Sequence, residues 1–161
     1  MENLIRITGG VGSGPTPLGA LDAALFAAGV ANHNLIHLSS VIPPGKKPVI
    51  KQVHLNESTK EYGRRLYAVY AEKTETEQGK SAWAGLGWTL TKGEPRRGLF
   101  VEHTGEDKEA VVQQIKLTLK HMVSYRKEKY GVVRHKETGI SCTGDPVCAI
   151  VLAVYETVPW E

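Results

Sequence analysis

Two adjacent hydroxyl side chains, Ser39 and Ser40, end a β-prone segment just before a rigid turn at residues 41–45 that contains two consecutive prolines. Serine hydroxyls are potential nucleophiles, so this pair is the first candidate for covalent chemistry. Taken alone, however, a Ser-Ser pair before prolines is usually an ordinary turn. The pair therefore needs support from residues elsewhere in the chain.

Three more familiar kinds of site do not fit the sequence. The glycine-rich stretch at residues 9–14 begins like a phosphate-binding loop, but Pro15 and Thr16 stand where a lysine and a hydroxyl residue should follow. Ser13 is not part of a Gly-x-Ser-x-Gly nucleophile elbow. Because the candidate histidines lack the spacing of metal ligands, we expect no metal site. These histidines are His33, His37 and His103.

The composition predicts a single compact domain. The chain has 161 residues and 41% apolar content, enough to bury a core without disulfides or a structural metal. Its net charge of +3 lies in short basic clusters typical of solvated loop ends, so we expect no nucleic-acid partner. There is no signal-like opening and no apolar run near the ~20 residues of a membrane span. We therefore expect a cytoplasmic protein without a membrane partner, with Cys142 and Cys148 reduced and buried.

The elements that must hold Ser39 and Ser40 are predicted as strands mixed with two helices. Thr16 as the cap, Pro17 at the first position and leucines at helical spacing predict a helix over residues 17–28. A second apolar stripe predicts a helix over residues 107–129. The glycine-rich stretch predicts a loop after a first strand at residues 4–7. Further strands are predicted at residues 34–38, 66–71, 81–90, 98–102, 132–140 and 147–155.

These elements indicate an α+β fold. Two helices cannot cover both faces of a doubly wound parallel sheet of about seven strands. Mainly antiparallel sheets that stack on each other, with a helix outside each, would use every apolar face. We therefore predict one domain over residues 1–161.

Three separated segments are similar to the pyruvoyl-dependent arginine decarboxylase family. They are Thr-Pro-Leu-Gly-Ala-Leu-Asp-Ala-Ala-Leu at residues 16–25, Asn-His-Asn-Leu-Ile-His-Leu-Ser-Ser-Val-Ile-Pro-Pro at residues 32–44, and Gly-Leu-Phe-Val-Glu at residues 98–102. The similarity runs from the first strand to the last and is densest between Gly12 and Pro44. It is specific because residue types and their order agree in three places.

The resemblance implies that the chain cleaves itself between Ser39 and Ser40, into a β chain of residues 1–39 and an α chain of residues 40–161. A strained strand-to-turn junction can hold the Ser39 carbonyl against the next hydroxyl. Ser40 would become a covalent pyruvoyl group, and neither PLP nor a metal is needed. Asn34 matches the family's asparagine that assists processing, where its amide can donate to the oxyanion at the attacked carbonyl. Read locally, Asn34 is a strand-edge residue that satisfies backbone groups.

The activity implied is decarboxylation of L-arginine to agmatine and CO2 through a Schiff base on the pyruvoyl group. Glu102 matches the family's proton donor, and burial beside Phe100 is expected to raise its carboxyl pKa; an exposed strand-end glutamate is the alternative. Asp22 matches the carboxylate that takes the guanidinium, although an aspartate at the margin of a helix stripe is normally solvated. His37 stands where a related sequence has arginine, and no role is transferred to it.

The resemblance further implies a four-layer αββα sandwich that assembles as homotrimers, sometimes doubled to hexamers, with active sites between protomers. The partner it implies is a small-molecule amino-acid substrate. Two alternatives stay open: a pyruvoyl-dependent decarboxylase of another amino acid such as histidine, and an uncleaved, non-catalytic oligomeric relative. Three tryptophans suit either an interface or the core, namely Trp83, Trp88 and Trp160.

Overall fold

A computed structural model describes residues 3–50 and 60–161 and contains two helices and nine strands in these ranges. Within these residues, neither helix is long and apolar enough to cross a membrane. The elements in chain order are β1 (Asn3–Ser13), α1 (Pro17–Ala28), β2 (Asn34–His37), β3 (Val41–Ile42), β4 (Lys46–Ile50), β5 (Arg65–Glu75), β6 (Ser81–Leu90), β7 (Gly98–Gly105), α2 (Lys108–Ser124), β8 (Arg134–Ser141) and β9 (Val147–Val158).

The strands form two sheets. The larger sheet has the order β2-β5-β9-β1-β4, with antiparallel pairing at its centre and parallel pairing of both edge strands. The smaller sheet has the order β3-β7-β6-β8 and is wholly antiparallel. Two helices accompany these mainly antiparallel sheets, so the predicted α+β class is confirmed.

Among the described residues, three apolar clusters account for the packing. The main cluster joins the two sheets through large side chains such as Ile7 and Val151 from the larger sheet and Leu86 and Phe100 from the smaller one. A second cluster packs α1 on the larger sheet, and a third packs α2 on β7 of the smaller sheet. Each helix therefore buries its apolar face on a different sheet, which removes that surface from water.

Helix α1 begins and ends where the sequence predicts. The Thr16 hydroxyl accepts a hydrogen bond from the Gly19 N–H at 3.0 Å, and Pro17 occupies the first turn, where its missing N–H costs nothing. Gly29 ends the helix in the left-handed conformation with φ of 91°, which glycine adopts without a steric penalty. Local signals at both ends were sufficient for this element.

The predicted glycine-rich loop is wrong, because β1 continues to Ser13. A Cβ at Gly10 would meet backbone atoms of Ala24 and Ala28, and one at Gly12 would meet backbone atoms of Ala23 and Ala24. These glycines therefore let α1 lie directly on the strand, and they do not form a flexible turn.

The structure also differs from the prediction at two short strands and at the end of α2. Strands β3 and β4 were not predicted, because the prolines at residues 43 and 44 separate two short segments that pair with different sheets. Pro48 is tolerated inside β4 because that strand is at an edge of the larger sheet. Helix α2 ends at Ser124, five residues before the predicted end.

The cysteines and tryptophans have separate environments. Both cysteines are free and buried, as predicted. Trp88 is 3% exposed and belongs to the core between the sheets, whereas Trp83 packs on the α2 cluster. Trp160 is 61% exposed and lies against the Arg65 guanidinium. Of the three, only Trp160 has the exposure that an interface residue would have within an isolated chain.

Candidate active site

The segment around Ser39 and Ser40 crosses from one sheet to the other. The Leu38 N–H donates to the Ala68 carbonyl of β5 at 2.9 Å, and the Phe100 N–H of β7 donates to the Ser40 carbonyl at 2.7 Å. Only Ser39 lies between these two anchors. Among the described residues, positive φ values occur only at glycines, so the junction has no left-handed backbone strain. The constraint on this peptide comes from its two anchors.

Glu102 lies beside the Ser40 side chain. Pairing of β3 with β7 places Val41 opposite Leu99 and brings the preceding serine toward the middle of β7. The Ser40 hydroxyl lies 3.4 Å from Oε1 of Glu102 and can donate to it. The Glu102 side chain is 30% exposed, so the carboxyl group is half-buried and still reachable from solvent.

Glu102 lies on the Phe100 side of β7, as the sequence predicts. Phe100 packs in the cluster between the sheets, whereas Leu99 and Val101 face α2. Alternation along the strand therefore puts Glu102 on the same side as Phe100, toward Ser40.

A cavity of about 430 Å³ opens beside Glu102. Its polar lining includes His37, Tyr70, Glu72, Glu102 and His103, and Ser40 lies just outside this lining. The imidazole of His37 stacks on the Tyr70 ring, with 4.1 Å between centroids and 24° between planes. Its Nε2 is 3.8 Å from Oε1 of Glu102. The cavity therefore brings carboxyl and imidazole groups together, with the Ser40 hydroxyl at its border.

Tyr155 also belongs to this site and was missed from the sequence. Its hydroxyl donates to the Val41 carbonyl at 2.8 Å, and its ring centroid lies 6.2 Å from that of Phe100. Burial, followed by the negative charge of Glu102, raises the pKa of Tyr155 well above its usual range. The phenol therefore stays protonated and holds the residue that follows Ser40. No local signal marks this tyrosine, because its position depends on β9 lying behind β3.

The three histidines considered as metal ligands are dispersed. His33 contacts Glu61 at 3.4 Å, His37 contacts Tyr70, and His103 has its Nε2 2.8 Å from the Thr118 hydroxyl of α2. Burial lowers the pKa of His103, and the charge of Glu102 opposes that shift. Within residues 3–50 and 60–161, no group of three or more metal-ligating side chains comes together.

Asn34 does not meet Ser39 within the chain. Its amide Nδ2 donates to the Gly63 carbonyl at 2.8 Å at the start of β2. Strand β2 runs from Asn34 to His37, so at about 3.3 Å per residue it spans about 10 Å before the chain reaches Ser39. The predicted oxyanion donor is therefore not assembled with the serines by this chain alone.

Asp22 is exposed on α1 and is likewise not brought to Ser40. The buried face of the helix consists of Ala20, Ala24 and Ala28. The opposite face carries Leu18, which is 74% exposed, Asp22, and Phe26, which is 48% exposed. Spacing by four residues aligns these three side chains in one stripe. The outer face of α1 therefore presents a carboxylate between two exposed apolar side chains.

Comparison with known proteins decides the family. The sequence model described as pyruvoyl-dependent arginine decarboxylase (PvlArgDC) matches residues 4–158. The chain belongs to this family. In this pyruvoyl-dependent arginine decarboxylase family member, the Ser40–Glu102 contact joins two of the three segments on which the resemblance rests, residues 32–44 and residues 98–102.

Curated relatives agree with this assignment. A pyruvoyl-dependent arginine decarboxylase of Thermoplasma volcanium is 35% identical over 99 residues, which are 62% of this chain and 53% of the relative. Pyruvoyl-dependent arginine decarboxylase 2 of Archaeoglobus fulgidus is 28% identical over 120 residues, 74% of this chain and 75% of the relative. A Halobacterium salinarum relative is 39% identical over 102 residues, 63% of this chain and 61% of the relative. The match thus spans about half of the Thermoplasma protein.

Proposed function

We propose that the protein decarboxylates L-arginine to agmatine and CO2 with a pyruvoyl group formed from Ser40. The observation that carries this proposal is the 3.4 Å contact between the Ser40 hydroxyl and the Glu102 carboxyl, at a peptide held by both sheets. The names of the matched family and relatives support arginine as the substrate. Among the residues that the structure describes, no specific contact favours histidine or a non-catalytic role.

The pyruvoyl group would arise by self-cleavage between Ser39 and Ser40. Ser40 Oγ attacks the Ser39 carbonyl carbon, the peptide C–N bond breaks, and an ester forms. Elimination of the ester frees Ser39 as a carboxylate and leaves dehydroalanine at position 40, whose hydrolysis yields the pyruvoyl group and ammonia. The products are residues 1–39 and residues 40–161.

The residues around Ser40 fit such a group. Its backbone carbonyl is held by the Phe100 N–H, a carboxyl group lies 3.4 Å from its side chain, and the adjacent cavity of about 430 Å³ can admit a small substrate. The group supplies a carbonyl electrophile for the substrate amine and an electron sink for the departing CO2. Glu102 then delivers the proton that replaces CO2 on the substrate carbon.

We further propose the family's four-layer sandwich and trimeric assembly, with the site shared between protomers. Support comes from the residues that one chain leaves apart. Asp22, within its exposed apolar stripe, would take the guanidinium in a neighbour's site through a paired, charge-assisted hydrogen bond. An amide group has two N–H donors, so the bond from Asn34 to Gly63 leaves a second donor for a neighbour's Ser39 carbonyl.

Two measurements test this proposal. Intact-mass spectrometry of the purified protein should show residues 1–39 and a pyruvoyl-blocked fragment of residues 40–161, and labelled arginine should release CO2. A single full-length mass with no CO2 release would contradict it.

Complementation tests the shared site. Ser40→Ala protomers lack the pyruvoyl group, and Asp22→Asn protomers lack the guanidinium ligand. Co-expression should restore activity at low arginine concentration beyond that of either variant alone. Equal activity of the mixture and the separate variants would place Asp22 outside the neighbour's site.

A further inference from the structure

His37 lies where it can serve the carboxyl group that carries the proton. Its Nε2 is 3.8 Å from Oε1 of Glu102, the same oxygen that contacts Ser40. The His37 side chain is 50% exposed and that of Glu102 is 30% exposed, so the imidazole is the more solvent-accessible partner. The ring is also held in place by its stack on Tyr70.

Each decarboxylation consumes a proton. The bond from the substrate carbon to CO2 is replaced by a bond to hydrogen, so the donor ends each turnover one proton short. With Glu102 as donor, the carboxylate must regain a proton before the next cycle. We propose that His37 is a relay that reloads Glu102 with a proton from solvent, an inference that rests on the function proposed above.

The steps balance with solvent as the only co-reactant. The imidazolium Nε2–H gives its proton to Oε1 of Glu102, and the neutral imidazole then takes a proton from solvent. Closing the 3.8 Å gap to a hydrogen bond of about 2.9 Å needs a movement of about 1 Å, and one bridging water serves the same purpose. Histidine suits this task because its charge changes between about pH 5 and 8.

The other ionisable groups at the cavity are less suited to this task. Besides His37 and its acceptor Glu102, they are Tyr70 and Glu72 from β5 and His103 from β7. His103 follows Glu102 in the strand, so its side chain faces away from Ser40 and contacts Thr118. Burial raises the pKa of Tyr70, and the charge of Glu72 adds to this, which keeps the phenol protonated beneath the His37 ring.

The decisive experiment compares His37→Gln with the wild type. Rates are divided by the fraction of cleaved chains, measured by intact mass, so that processing does not enter the comparison. We expect kcat for arginine to fall by about tenfold or more on the acidic side of the profile, within the range of acid–base contributions. The descending limb that the imidazole contributes to the wild-type pH profile should be missing from the variant, with KM little changed.

Chemical rescue separates a proton relay from a structural role. Free imidazole should restore part of kcat in His37→Ala, because the cavity of about 430 Å³ can admit it, and should not affect the wild type. The matched control is His121→Gln, because His121 is an exposed histidine whose ring also lies beside a tyrosine ring, with 5.5 Å between the centroids of His121 and Tyr125. That variant should keep the wild-type profile.

Failure of this inference is distinct from failure of the proposed function. The relay would be overturned if the pH profile of kcat for His37→Gln matched that of the wild type, or if imidazole did not rescue His37→Ala. CO2 release by the wild type would still support the proposed decarboxylase function. If wild-type protein forms no pyruvoyl group, both fail together. If both His37 variants remain uncleaved, Tyr70→Leu provides the test, because it removes the stack that holds the His37 ring near Glu102. A kcat equal to that of the wild type in this variant would contradict a relay that depends on this placement.

Discussion

Ser40 and Glu102 are 62 positions apart in the chain, yet the hydroxyl of one lies 3.4 Å from the carboxyl of the other. Pairing of the two-residue strand β3 with β7 creates this contact, and the Phe100 N–H fixes its register by donating to the Ser40 carbonyl. One strand pair therefore places a potential nucleophile beside a potential proton donor.

Ser40→Ala should abolish both cleavage and decarboxylation. The variant keeps the backbone anchors but has no hydroxyl to attack the preceding carbonyl, so mass spectrometry should show one species near 17.6 kDa. The adjacent Ser39→Ala is the control, because its side chain takes no part in the proposed attack, and it should still cleave. An active, uncleaved Ser40→Ala would eliminate the pyruvoyl mechanism.

Glu102→Gln should lower kcat by about 10²- to 10⁴-fold for the cleaved protein, because the amide cannot deliver the proton that replaces CO2. KM for arginine should change little, since the proposed guanidinium ligand is Asp22 and not Glu102. Steady-state CO2 release, per cleaved site, measures this. Glu156→Gln, at an exposed position near the end of β9, is the control and should behave as wild type. Equal rates in both variants would remove Glu102 from the donor role.

Asp22→Asn should raise KM for arginine with a smaller effect on kcat, because a neutral amide loses the charge-assisted pair with the guanidinium. The fold should not change, since Asp22 is exposed and contributes nothing to the α1 core. Steady-state kinetics at varied arginine concentration measure the effect. An unaltered KM would show that the guanidinium binds elsewhere.

Gly10→Ala should destabilise the protein by about 1–3 kcal/mol or more, because the new methyl group would meet backbone atoms of Ala24 and Ala28 and push α1 off β1. Gly93→Ala is the matched control: nothing lies within 4 Å of its added Cβ, so its effect should stay within about 0.5 kcal/mol. Urea unfolding measures both. Similar urea midpoints for the two variants would mean that α1 moves to accommodate the methyl group without loss of stability.

His103 should make the folded protein less stable in acid. Burial lowers its pKa, so as the pH falls below about 6.5 the unfolded chain binds a proton that the folded chain resists. The stability associated with the neutral imidazole is complete above that pH and is lost as the pH falls toward the lowered value. The urea midpoint of His103→Gln should therefore decrease less than that of the wild type between about pH 7.5 and 5. His121→Gln, at an exposed position, should follow the wild type.

The elements differ in how accurately their bounds can be predicted from the sequence. Helix α1 was predicted with its observed bounds because its cap, its proline and its terminal glycine are local signals. The loop assigned to the glycine-rich stretch was wrong because local propensity cannot reveal that a helix backbone lies against Gly10 and Gly12. Helix α2 was predicted too long because its apolar stripe ends gradually, without a glycine at the C-terminus.

The amino-acid sequence by itself determined the family, the α+β class and the identity of Ser39, Ser40, Asn34, Asp22 and Glu102 as the residues to test, because these depend on residue types and their order. Only the tertiary structure decided which of them meet. It places Ser40 beside Glu102 and brings His37 and Tyr155 to the same site. Asn34 and Asp22 of the same chain lie away from that site. The reason is physical: such contacts depend on strand pairing between distant segments and on helix faces, which local periodicity does not encode.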